Sequence, residues 1–312
     1  MKRYERFVLE VEDGVTFKNG INIDVSEGTR GELIIRATNK FNNRSENYKN
    51  PPVPKGYRDV CGEWYNGFVI ERMSDGSQFV WIPVESLKPN GTHDGELFTE
   101  KFGRRNFRND VFSEDEDGYY EPLTGELAMQ MESIKKYGGF YIARYNISRN
   151  EEIGNSQSVK GVKPWVNIDL DEAKIVAATM ENTEDVRSHL VFGAEYDSVL
   201  EWFIESKART RCEIVYDSTA WGNYDNTHDS PEDIVATGSN EDWCINNIYD
   251  FAGNVLEWTQ ERRKNIIDSE SMVFRGGYFD NDGDRHPVSC RESTCSGEGS
   301  DDIGFRAALY IK

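Results

Sequence analysis

Asn247-Ile248-Tyr249-Asp250-Phe251-Ala252-Gly253-Asn254-Val255-Leu256-Glu257-Trp258-Thr259 is the stretch whose reading decides the fold. Gly253-Asn254 can turn tightly, because glycine and, to a lesser degree, asparagine accept a positive φ. The residues that follow alternate, so Leu256 and Trp258 are expected to face the core while Glu257 points the other way. Two further signatures lie downstream, Phe274-Arg275-Gly276-Gly277-Tyr278 and Ile303-Gly304-Phe305-Arg306-Ala307-Ala308-Leu309. Gly276-Gly277 permits close backbone approach where a strand leaves the core. Arg306 can hold a carboxylate with a two-pronged contact. Ala220-Trp221-Gly222-Asn223-Tyr224 lies upstream.

Further upstream, short apolar runs alternate with long polar stretches. Phe68-Val69-Ile70 and Phe79-Val80-Trp81-Ile82 flank Ser74-Asp75-Gly76-Ser77 and predict a β-hairpin, with Pro83 closing its second strand. Residues 88–137 are charged and read as loop-rich; the run Glu114-Asp115-Glu116-Asp117 reads as a solvated loop. Gly138–Ala143 reads as a strand. Helices are predicted over roughly Leu170–Glu181, with Asp169 or Asp171 as N-cap, and Ala194–Ser206, with Tyr196, Val199, Leu200, Phe203 and Ile204 on one face. Two helices among many short strands indicate an α+β class. In residues 1–48, Phe7, Leu9 and Val11 alternate with charges, and Leu33-Ile34-Ile35 follows a Gly-rich turn; this reads as a small β-rich N-terminal module. Proline-rich residues 49–58 read as a linker, and residues 59–312 as the main domain.

The chain has 312 residues, with 36 Lys+Arg against 56 Asp+Glu, a net charge of −20. A surface this acidic repels phosphate backbones, which argues against general nucleic-acid binding, and it gives no electrostatic help towards anionic membrane surfaces. No run approaches a membrane span, and MKRYERFVLEVEDG does not read as a signal peptide, so synthesis in the cytoplasm with reduced thiols is the expectation. Five cysteines (Cys61, Cys212, Cys244, Cys290, Cys295) do not make a disulfide framework.

The usual catalytic sets are missing. There is no phosphate-cradling loop and no nucleophile elbow. His93, His189, His228 and His286 are scattered, with no close His/Cys pair of zinc-site spacing. Asp280, Asp282 and Asp284 resemble the start of a calcium loop, but Arg285 and Arg291 stand where that motif needs Gly and Glu. An acidic turn is the favoured reading.

The ordered set from Ala220 to Leu309 resembles the formylglycine-generating enzyme (sulfatase-modifying factor) family, whose signatures look like YDMAGNVWEW, RGGSW and GFR. Phe79–Val84 resembles that family's opening strand, and Lys163–Ala173 and Ala194–Trp202 its helical segments, so the resemblance covers roughly residues 59–312. It implies a C-type lectin fold of the formylglycine-generating-enzyme type. It also implies a structural calcium held by the Glu257 carboxylate and the carbonyls near Gly253 and Val255; a hydrogen-bonded carboxylate without metal is the alternative, and both stay open. The family's copper-binding cysteine pair falls here on Asn281 and His286. Cys290 and Cys295 keep the spacing nine residues later, so an oxidase using them is the rival to a non-catalytic protein.

What remains is the segment 278–302, which mixes aromatic and small polar residues between two rigid signatures, as a recognition surface does. This arrangement resembles the variable proteins of diversity-generating retroelements, phage and bacterial binding proteins with the same fold. In those, near-C-terminal residues are rewritten at adenines, typically in Asn codons. Tyr278, Phe279, Asp280, Asn281, Asp282, Asp284, Arg285, His286, Ser289, Cys290, Ser293 and Thr294 are reachable in that way, as is Cys295; Glu292 is not, though it shares the surface. The expectation is display of these residues to a protein or glycan ligand on a cell surface, with no cofactor required. Residues 1–48 would serve homo-oligomer or phage-particle assembly. A fixed binding module and a calcium-stabilised structural module are the bland alternatives.

Overall fold

Phe79, Val80, Trp81 and Ile82 are an apolar run too short for a helix, and all four are buried. In the computed structural model the strand lies inside a six-stranded sheet, and both of its faces are covered: Val80 and Ile82 join the main hydrophobic cluster, while Trp81 packs against Trp64 and Tyr141. The structure describes residues 4–11, 30–37, 51–64, 66–87, 93–97, 102–107, 111–112, 118–151, 154–264 and 270–312. The chain divides into two compact units, residues 1–48 with 87–93, and residues 49–86 with 94–312.

In the first unit, strand β1 (Tyr4–Val11) pairs in parallel with β2 (Arg30–Ala37). Both expected strands of the N-terminal module are present.

Among the described residues, the second unit holds two large sheets beside several two-stranded ones. Strands β3 (Tyr57–Cys61), β4 (Val69–Arg72) and β5 (Gln78–Pro83) begin the larger one. The β4–β5 hairpin forms as predicted, with Asp75 accepting from the Ser77 N–H at 3.1 Å and Gly76 at φ +77°. Residues 51–58, expected as linker, begin this unit instead: Pro51 and Pro54 are buried and Tyr57 opens β3. Residues 49 and 50 and the acidic run 114–117 lie outside the described residues. After the short β6 (Tyr119–Tyr120) comes helix α1 (Gly125–Tyr137), which corrects the loop-rich reading of 88–137. Thr124 caps it by accepting the Leu127 N–H at 3.1 Å, and left-handed Gly138 ends it. Its buried face is Leu127, Gln130, Ser133 and Ile134, half of it polar, so no apolar stripe announces it.

Strand β7 (Gly139–Ala143), helix α2 (Leu170–Thr179, capped by Asp169) and helix α3 (Gly193–Glu205) follow as predicted in kind, with the unforeseen strand β8 (Val186–Leu190) between the two helices. The face of α3 named above is buried at Tyr196, Val199, Leu200 and Phe203, with Ile204 at its margin. A short α4 (Arg211–Val215), held by the Thr210–Glu213 capping box, was not foreseen. Strands β9 (Leu256–Lys264), β10 (Glu270–Arg275), β11 (Arg291–Thr294) and β12 (Ile303–Phe305) build the second sheet with β6. Strand β13 (Ala307–Ile311) returns to the first. The large sheet runs β8-β13-β7-β5-β4-β3, antiparallel throughout; the other runs β6-β9-β10-β11, with β12 parallel to β9. This is an α+β architecture whose core packs α3 against Phe140, Trp221 and Phe251.

Candidate functional site

The site is built where β10 leaves the second sheet. Gly253 and Asn254 adopt φ +69° and +65°, the turn their residue types predicted. A Cβ on Gly253 would meet the Asn223 carbonyl at 2.2 Å, so the loops are in direct backbone contact. Asn254 Oδ1 accepts from Asn223 Nδ2 (3.1 Å) and the Val235 N–H (3.0 Å), and its carbonyl accepts the Phe279 N–H at 3.3 Å. Gly277 turns the chain at φ +70°, where a Cβ would strike the His286 carbonyl at 2.8 Å. The signatures therefore stitch the start of the 278–302 segment to the frame.

Glu257 is buried with its neighbours Leu256 and Trp258 rather than facing solvent. Its Oε1 accepts from Asn146 Nδ2 at 2.7 Å and Arg306 Nη2 at 2.9 Å, and Arg306 Nε bridges both oxygens at 3.1 and 3.3 Å. Arg306 makes the two-pronged contact predicted for it. Burial pushes the Glu257 carboxyl up, with Arg306 opposing. The calcium set Gly253, Val255 and Glu257 does not fit a divalent cation. The carboxylate lone pairs are taken by N–H donors, one of them from a cation, and the Gly253 carbonyl accepts the Val255 N–H at 2.9 Å.

A second buried ionic cluster lies between α3 and the sheet. Asp197 accepts from Arg275 Nη2 at 2.8 Å, the Arg105 N–H at 2.7 Å, and Arg291. Glu261 accepts from Arg104 at 2.9 Å and Arg291 Nε at 2.8 Å. Burial alone would raise the Asp197 carboxyl, but Arg291 and Arg275 hold it below the usual range. The same Arg275 reaches forward to the carbonyls of Cys290 (3.0 Å) and Ser289 (3.3 Å). Val288 is fully buried, bonded through its N–H to Ser218 Oγ (3.0 Å) and its carbonyl to Tyr196 Oη (3.3 Å). The exposed segment is thus pinned from below by α3 and two arginines, a network the sequence reading missed because its members are far apart in the chain.

On this base the expected ligand residues are distributed as follows. Tyr278 and Phe279 form a half-exposed edge-to-face pair, 5.5 Å between centroids. Asp280, Asp284 and Arg285 are exposed; Asn281 and Asp282 are half-buried and close the turn, with Asn281 Oδ1 accepting the Tyr278 N–H at 3.3 Å. Burial raises the Tyr278 hydroxyl pKa, and Asp302, Asp280, Glu292 and Asp301 add to the rise, which puts four acids around one phenol. Asp301 and Asp302 close the 278–302 segment but were not singled out among its ligand residues. Ser289, Ser293 and Thr294 are half-buried along β11 and its approach.

His286, Cys290 and Glu292 come together. Their ligating atoms all lie within 4.8 Å of one another, and His286 Nδ1 stands 2.8 Å from Glu292 Oε1. This corrects the reading that no close His/Cys pair exists. Cys295 is not with them: it is exposed, beside Ser271 Oγ at 3.5 Å. The extended strand β11 separates the two thiols, and five extended residue steps span on the order of 15 Å.

The sequence model of the sulfatase-modifying factor enzyme 1-like domain matches residues 124–311. No curated protein matches the chain. Among solved structures, it is similar to Treponema denticola variable protein 1 (15% identity, 55% of this chain and 85% of that one, TM-score 0.38). It is also similar to CarF (15% identity, 56% and 87%, TM-score 0.40) and to PvdO from Pseudomonas aeruginosa (16% identity, 78% and 97%, TM-score 0.44).

Proposed function

Since the chain belongs to the sulfatase-modifying factor enzyme 1-like family and has its C-type lectin fold, we propose that it is a non-catalytic member that presents a ligand-binding surface on residues 278–302. The observation that carries the reading is the division of labour around Arg275. Its guanidinium is buried and ion-paired, and it holds the Ser289 and Cys290 carbonyls in the middle of a segment whose Tyr278, Phe279, Asp280 and Arg285 side chains reach solvent. Rigid backbone beneath mixed aromatic and polar side chains limits the ordering cost of binding. The strand β11 between Cys290 and Cys295 argues against their use as the thiol pair of an oxidase of the rival kind. The ligand is a protein or glycan on a cell surface, and the four acids around Tyr278 favour one with basic groups facing them. Variation of these residues by a retroelement, and assembly into an oligomer or phage particle through residues 1–48, complete the reading.

The test is a triple substitution, Tyr278→Ala with Phe279→Ala and Arg285→Ala, screened against arrayed glycans and cell-surface proteins beside the parent protein. Binding shown by the parent should fall at least ~100-fold, as loss of two aromatic anchors implies, while the melting curve is kept. Unfolding of the variant would show that the segment is structural. For the retroelement component, a reverse-transcriptase gene and an imperfect copy of the last coding stretch are expected beside this gene; a neighbourhood without them leaves a fixed binding module.

A further inference from the structure

The His286–Cys290–Glu292 cluster has a chemistry that a polar recognition loop does not need. It offers one imidazole nitrogen, one thiol sulfur and one carboxylate oxygen, all within 4.8 Å. Nitrogen, sulfur and oxygen donors together suit a borderline divalent ion and fit poorly with calcium or magnesium, which take oxygen alone. A single sulfur is also a poor match for copper(I), which soft ligands select. We propose that these three side chains form a zinc site, with His286, Cys290 and Glu292 as ligands and a fourth, open position.

The geometry is close to that of a bound ion. Tetrahedral zinc with bonds of about 2.0–2.3 Å sets its ligand atoms roughly 3.3–3.6 Å apart. His286 Nδ1 and Glu292 Oε1 are 2.8 Å apart, so they part by about half an ångström to admit the ion, and the sulfur closes on both. Rotation about side-chain bonds achieves this, because each backbone is fixed independently. The His286 N–H donates to the Asp282 carbonyl at 2.9 Å, and its own carbonyl is packed against Gly277. Cys290 donates its N–H to the Pro287 carbonyl at 2.7 Å, and Arg275 grips its carbonyl at 3.0 Å. Glu292 sits in β11 opposite Phe274 of β10. Ligands on backbone already in place are what a metal site requires of its supporting shell.

The three side chains are only partly covered; His286 is 36% exposed and Glu292 32%. Solvent therefore reaches the ion, and water or a donor atom of the binding partner takes the fourth position. Three protein ligands with one open position is the arrangement zinc adopts where it meets a substrate rather than where it merely braces a fold. Binding converts the Cys290 thiol to a zinc-bound thiolate, and the displaced proton passes to solvent. The site stands on these contacts and does not rest on the reading of residues 278–302 as a variable surface.

The experiment uses the full chain, stripped of metal, titrated with zinc and separately with cobalt(II). One equivalent should bind with proton release, and the cobalt form should show a thiolate-to-metal charge-transfer band. Cys290→Ser should abolish that band, and His286→Ala and Glu292→Gln should each weaken zinc by more than the ~10–100-fold that loss of an outer-shell partner costs. Cys295→Ser, at the other end of β11, should change nothing. All four variants alter partly exposed side chains, and melting curves check that each folds. Absence of a stoichiometric site, or a band that survives in Cys290→Ser, overturns the proposal, as does equal weakening by Cys295→Ser.

Discussion

Two polar regions of the second unit lie side by side and obey opposite rules. Beneath the surface, Asp197, Glu261, Arg275 and Arg291 are buried or nearly so, and each meets an oppositely charged partner. Above it, Arg285 is 78% exposed and pairs with Asp282 at 3.3 Å. Charge in the lower region is held by geometry and is costly to remove, because its partners stay behind without water. Charge in the upper region is solvated and interchangeable. The difference teaches how one frame can carry many surfaces: specificity of fold resides in arginines that never reach solvent, and specificity of contact in side chains that hardly affect folding.

The largest effect should come from the lower region. Asp197→Ala leaves Arg275 and Arg291 facing each other without the carboxylate between them, and the Arg105 N–H without an acceptor. A cost of about 3–5 kcal/mol is expected from breaking a buried pair in this way, read as a fall in the urea midpoint at pH 7. The same carboxylate, held below its usual range, contributes stability above the unfolded-state pKa that is lost as pH falls through the folded one. A loss under about 1 kcal/mol, the scale of an exposed pair, would erase the distinction between the regions.

A middle effect is expected at the margin of the ionic cluster. Glu121 caps α3 through Oε2, which accepts the Ala194 N–H at 2.9 Å, while Oε1 has no hydrogen-bond partner among the described residues. Burial, and then Glu261, raise its pKa from 4.5 to about 8. The folded chain therefore holds this proton more tightly than the unfolded chain does. Stability should fall as pH climbs from 4.5 towards 8 and level off above it. Glu121→Gln keeps an acceptor for Ala194 but cannot ionise. It should match the parent near pH 5 and exceed it by about 1–2 kcal/mol at pH 9, a figure reduced for the partial exposure of the side chain. Paired melting curves at the two pH values check this; parallel curves at both would place Glu121 with the solvated residues.

Much of the frame was legible from residue order alone, and the reason is physical. The β4–β5 hairpin, α2 with its Asp169 cap, and the apolar face of α3 are local patterns, and the Gly253-Asn254 turn follows from backbone sterics. Helix α1 was hidden because Gln130 and Ser133 occupy its buried face, although Thr124 and Gly138 mark its ends. The ionic cluster was illegible because pairs such as Arg104–Glu261 are 157 residues apart. Isolated charges in polar stretches look solvated until the topology pairs them. His286, Cys290 and Glu292 lie close in sequence, yet only the turn at Pro287 and the start of β11 bring their donor atoms together. The Glu257 carboxylate was visible as a candidate ligand; that Arg306 is its partner depended on a residue 49 positions away, between β12 and β13.

The smallest effect should belong to Arg285, and it sharpens the comparison most. Its guanidinium pairs with Asp282, three residues away, at the tip of a turn closed by backbone bonds, such as Arg285 N–H to the Asp282 carbonyl at 3.1 Å, that substitution leaves in place. An exposed pair at this spacing contributes about 0.2–1 kcal/mol at best, and salt screens it. Arg285→Ala should therefore shift the melting temperature by no more than ~2 °C, and less still in high salt, while Asp197→Ala in the same buffer produces a large shift insensitive to salt. If Arg285→Ala instead destabilises the chain as Asp197→Ala does, the upper region is part of the scaffold, and the freedom of its side chains to be exchanged for new contacts disappears with it.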